Sequence, residues 1–109
     1  MKKTSKLHLH VDTMHKISSS KVTFGEMELS FRFSVESVAI YFDMFGKEIR
    51  DAKSVRDRLN YLYSAYLSGC VHEKTASELT VEDFYNLLDD YPLQFVKVVD
   101  CLIADQQVN

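Results

Sequence analysis

The apolar positions of this chain fall into two different rhythms. Between Lys21 and Ser34 the period is two: Val22 and Phe24, then Met27, Leu29, Phe31 and Phe33, alternate with Glu26, Glu28, Ser30 and Arg32. That is the mark of strands with one face buried. Gly25-Glu26 separates the two runs by the length of a tight hairpin turn. Two strands alone are marginal in water, so their apolar face needs cover. The rest of the chain supplies it.

After Ser34 the period lengthens to that of a helix. Val35, Val38, Ala39, Phe42 and Phe45 recur at helical spacing, with Ser34 placed to cap the start and Gly46 to end it. A second series, Val55, Leu59, Leu62, Tyr63 and Tyr66, stops before Gly69. Glu73 to Leu79 reads as a polar connection. Thr80-Val81-Glu82-Asp83 has the hydroxyl and early acids of a helix start, and Phe84, Leu87 and Leu88 give that helix an inner face. Pro92 disfavours helix at Tyr91 and suits the first position of a new one. That last helix carries Phe95, Val96, Val99, Leu102 and Ile103. The prediction is an α+β domain. A β-hairpin over about 21–34 packs against four short helices over about 35–45, 52–68, 80–89 and 92–104. Residues 1–20 form a basic arm, in which Leu7, Leu9 and Val11 alternate with His8 and His10 as a short edge strand would.

Size and composition narrow the picture. A chain of 109 residues, 46% hydrophobic and 27% charged, is one folded domain and not a disordered one. No apolar run reaches the ~18–20 residues that span a bilayer. Lys2, Lys3 and Lys6 precede His8, His10 and Asp12, which interrupt the apolar run a secretory signal needs. Cys70 and Cys101 lie far apart in apolar stretches, the pattern of buried reduced thiols in a reducing cytoplasm. Charge is uneven. Residues 1–21 carry five lysines against Asp12. From Glu73 onward eight acids face only Lys74 and Lys97, which disfavours nucleic acid as a partner of that third.

Candidate chemistry is sparse. His8, His10 and His15 lack a third metal ligand at a recognisable spacing, and His72-Glu73 reads as loop. Asp89-Asp90 and Glu82-Asp83 have neither the alternating ligands nor the mid-loop glycine of a calcium loop, and read as turn and cap. There is no nucleophile motif and no phosphate-binding glycine loop. The sequence therefore predicts no enzyme, no metal and no cofactor. Lys47, Arg50, Lys53, Arg56 and Arg58 form a basic stretch that a small DNA-binding regulator of a phage or mobile element could set on phosphates. Glu48, Asp51 and Asp57 are interleaved with it, as on a solvated helix surface. Tyr61, Tyr63, Tyr66, Tyr85 and Tyr91 are more tyrosine than one small core needs, and tyrosine beside aliphatic residues is a common interface anchor.

The order of these signals carries a resemblance. Phe31-Arg32-Phe33-Ser34 leads through Phe42-Asp43-Met44-Phe45-Gly46-Lys47. Tyr61-Leu62-Tyr63-Ser64-Ala65-Tyr66 follows, then Leu79-Thr80-Val81-Glu82-Asp83-Phe84 and Leu87-Leu88-Asp89-Asp90. Over roughly residues 22–103 the chain resembles the tail assembly chaperones of long-tailed bacteriophages and prophages. The resemblance implies a protein of the host bacterial cytoplasm, absent from the finished virion. It would bind the tape measure protein and keep that long helical chain soluble until tail tube protein polymerises around it, without ATP. The leader before Lys21 is longer than the family pattern. Tyr61, Tyr66, Phe84, Tyr85 and Leu88 are the residues expected to contact the partner. A homo-oligomer is expected as well, because an open hairpin edge can recruit a second copy.

Overall fold

A computed structural model describes residues 18–108, with side chains described for 19–100 and for Leu102. Strands β1 (Ser18–Phe24) and β2 (Met27–Phe33) pair antiparallel, from Ser18 opposite Phe33 to Phe24 opposite Met27. Gly25 has φ +67° and Glu26 does not share the positive sign. Positive φ at the first turn residue alone is the type II′ pattern, whose twist matches that of the strands. The hairpin starts three residues earlier than the alternation predicts. Serines 18–20 have weak strand preference, but pairing with Phe31 to Phe33 overrides it. The Leu7–Val11 segment and its histidines lie outside the described residues.

Four α-helices follow: α1 (Val35–Phe45), α2 (Val55–Glu73), α3 (Val81–Asp90) and α4 (Pro92–Val108), with a 3₁₀ turn over Ile49–Asp51. The predicted α+β arrangement of hairpin and four helices is the observed one. Helix α2 differs most from its predicted span. It starts at the Ser54 cap, where Ser54 Oγ accepts from the Asp57 amide at 3.0 Å. It then runs through Gly69 to Glu73, so His72 is helical and not in a loop. Gly69 is no stop signal. A Cβ there would lie 2.5 Å from the Ser30 carbonyl oxygen, so the missing side chain is what lets α2 approach β2. The real stop is Lys74 at φ 60°, with Thr75 N–H donating to Cys70 O at 2.9 Å.

The core lies between the inward face of the hairpin (Val22, Phe24, Leu29, Phe31, Phe33) and α2, closed by Tyr41, Phe84, Val98 and Leu102. Helix α1 turns an unexpected face inward. Ser37 and Tyr41 are its buried residues, while Val35 and Phe42 of the predicted apolar series are exposed. Ser37 is tolerated inside because its hydroxyl donates to Ser34 O at 2.7 Å and lies 3.3 Å from Tyr61 Oη. The Ser34 amide donates to Ser37 Oγ, and the Ser34 hydroxyl meets Ser68 Oγ at 3.2 Å. Helix α4 packs on β1, with Phe24 edge-on to Tyr91 at 6.0 Å and Gln94 Nε2 donating to Thr23 O at 2.7 Å.

Candidate partner-binding groove

The tyrosines explain themselves first. Tyr63 donates to Leu79 O at 2.6 Å, and Tyr66 Oη accepts from the Glu78 amide at 3.2 Å. Their rings fill the core while their hydroxyls tie down the connection between α2 and α3. Tyrosine does both jobs where phenylalanine would leave loop backbone groups unpaired. Burial pushes the Tyr63 and Tyr66 phenols above the ordinary 10.0, opposed by a hydrogen bond from Ser77. Burial likewise raises Tyr41, helped by the nearby Asp57 charge.

This accounts for four of the five residues expected to contact a partner. Tyr61, Tyr66, Phe84 and Leu88 are each at most 5% exposed and belong to the core. Tyr66 stacks on Phe84, with their rings 10° apart, and Tyr61 lies 5.8 Å from Phe33. Helical spacing could not separate these positions from a surface stripe, because α2 is enclosed on most sides. Tyr85 alone is half-buried, its hydroxyl bonded to Asn60 Oδ1 and the Arg56 guanidinium 5.2 Å above its ring.

An open apolar groove lies elsewhere, between α2 and α4. There the two helices diverge around a cavity of about 390 Å³. Leu62 and Leu102 form its buried floor, Leu59, Phe95 and Val99 its half-buried walls, and Val55 and Val96 its lips. The lips are 71% and 55% exposed. Arg58 on α2 and Asp100 on α4 complete the rims. A second, smaller cavity shares Leu59 and Phe95 with it and adds Arg56, Tyr85, Leu88 and Asp89. Such a groove, apolar below and charged at the edges, fits the apolar stripe of an amphipathic helix. The sequence shows each wall as an amphipathic stripe. What it leaves out is that the two stripes face each other without closing.

The basic stretch is less available than its sequence implies. Lys47 Nζ reaches both oxygens of Asp57, at 3.0 and 3.1 Å, and this hydrogen bonding raises the lysine's pKa and lowers the aspartate's. Arg50 pairs with Glu48 at 2.9 Å and Arg56 lies on Tyr85. Among the described residues, no group of three or more metal-ligating side chains converges, and no helix is long and apolar enough to cross a membrane. Cys70 is a half-buried free thiol. Comparison of the chain with protein-family models, curated proteins and solved structures gives no match.

Proposed function

We propose that this protein is a tail assembly chaperone that binds helical segments of a tape measure protein and keeps them soluble until tail tube protein displaces it. The observation that carries the reading is the open apolar groove between α2 and α4, which can take the apolar stripe of a helix. The order of elements from Phe31 to Asp90 supports the same reading. So does the acidic C-terminal third, which would keep a loaded complex in solution. Displacement by competing tube subunits needs no nucleotide, so the cycle runs without ATP in the cytoplasm of the host. DNA binding through residues 47–58 is the weaker reading, since Lys47, Arg50 and Arg56 already have partners within the chain.

The test is co-expression with a tape measure protein. Wild type is expected to hold the long protein in the soluble fraction and to co-purify with it. Val55→Asp and Val96→Asp change exposed lips and are expected to leave the fold intact, which circular dichroism checks. Each is expected to cost about 2 kcal/mol of binding, roughly 30-fold. Val71→Asp, equally exposed but outside the groove, should behave as wild type. An insoluble tape measure protein with no complex to the wild type overturns the function. Full binding by both lip variants overturns the site.

A further inference from the structure

The charges around the groove are arranged by wall. Helix α2 supplies the bases, Arg58 in the larger cavity and Arg56 in the smaller. The opposite wall supplies the acids, Asp100 from α4 and Asp89 from the end of α3. All four are exposed. Among the described residues, Arg58, Asp89 and Asp100 form no ion pair, although other charges do, such as Lys47 with the half-buried Asp57 and Arg50 with Glu48. The groove thus has a positive rim and a negative rim with an apolar floor between them.

We infer that this groove fixes the direction of the helix it binds, accepting an apolar stripe flanked by acids on the α2 side and bases on the α4 side. The inference rests on the helix-binding reading above and sharpens it. A helix turned end for end in a groove keeps its apolar stripe on the floor but exchanges its two flanks. With oppositely charged rims, one direction pairs each flank with its complement and the other sets like charges together. Direction is therefore selected by charge, while the apolar floor supplies most of the affinity. A chaperone that must coat a long client in register gains from that division. The partner segment is expected to be a helix with acidic and basic residues segregated to opposite sides of its apolar stripe.

The probe is a pair of synthetic helical peptides, each about 18 residues long so that it is helical alone. Both carry leucine at i, i+3, i+4 and i+7. One has glutamate on the first flank and lysine on the second, and the other has the flanks exchanged. Each bears a nitroxide at its N-terminus and is titrated into the full chain, with amide line broadening read near Tyr85 and near Val99. The two peptides should broaden opposite ends of the groove. In the quadruple variant Arg56→Glu/Arg58→Glu/Asp89→Lys/Asp100→Lys each peptide should switch ends, and Arg58→Glu alone should weaken binding about 2–5-fold at low salt. Broadening at the same end by both peptides, or at both ends by each, overturns the directional claim while leaving the groove in place. Absence of saturable binding, or binding that Val96→Asp does not weaken, overturns the helix-binding reading itself.

Discussion

At the scale of the residue, Gly69 carries the clearest contradiction between local rule and tertiary fact. In a helix, glycine to alanine ordinarily stabilises by about 1 kcal/mol, because alanine loses less backbone entropy. Here the added Cβ would sit 2.5 Å from the Ser30 carbonyl oxygen and 3.0 Å from its carbon, and backbone cannot swing aside as a side chain can. Gly69→Ala is therefore expected to destabilise, by about 1–3 kcal/mol, the usual cost of overpacking. Urea unfolding followed by circular dichroism measures this, and a variant as stable as wild type would show that α2 and β2 are less close than described. The glycine's meaning was not legible beforehand. A glycine near the end of an apolar series is a fair stop signal, and only the strand behind it makes it a contact.

At the scale of the element, the starts of α1, α3 and α4 and the end of α1 at Gly46 were legible, and the two ends of α2 were not. Starts are written in side chains that bond within four residues. Thr80 Oγ1 accepts from the Asp83 amide at 3.1 Å, and the Asp83 carboxylate accepts from the Thr80 amide at 3.2 Å. Replacement of Thr80 by alanine should cost about 1 kcal/mol. Hydrogen exchange should locate the loss in the first turn of α3, and protection unchanged there would mean the cap contributes nothing. The end of α2 depends on its neighbours. Helix α2 continues past its predicted end because β2 and the loop held by Tyr63 and Tyr66 pack against its last turns. Helix α1 shows the same dependence across its width. Val35 and Phe42 of its apolar series look outward, while Ser37 and Tyr41 meet α2. Periodicity identified the helix but not the side that α2 covers: Ser37 is hydrogen-bonded there, while the Tyr41 hydroxyl is buried without a hydrogen-bond partner among the described residues and its ring packs edge-on against Tyr61.

For the whole molecule, the buried tyrosines couple the fold to alkaline pH. Burial raises the folded-state pKa of Tyr41, Tyr63 and Tyr66 above the ordinary 10.0. A raised folded-state pKa means that the neutral phenol is favoured in the fold. The contribution is complete below pH 10.0 and is lost as pH climbs through the folded values. The chain is expected to unfold cooperatively above about pH 10, with these tyrosinates appearing together with the loss of helical circular dichroism. Tyrosinate absorbance that rises with an ordinary midpoint while the fold persists would contradict this. The sequence by itself determined the hairpin, the number and order of the helices and the caps at Ser34, Gly46 and Thr80, because alternation, capping and proline chemistry act within a few residues. Only the tertiary structure decided which apolar stripes close against each other and which stay open. Tyr61, Tyr66, Phe84 and Leu88 were consumed by the core, and Val55, Val96 and Val99 were left lining a groove. The physical reason is that burial belongs to pairs of elements. A stripe records that a face is apolar, and the relative placement of α2 and α4 determines whether that face is covered by the chain itself or is available to another.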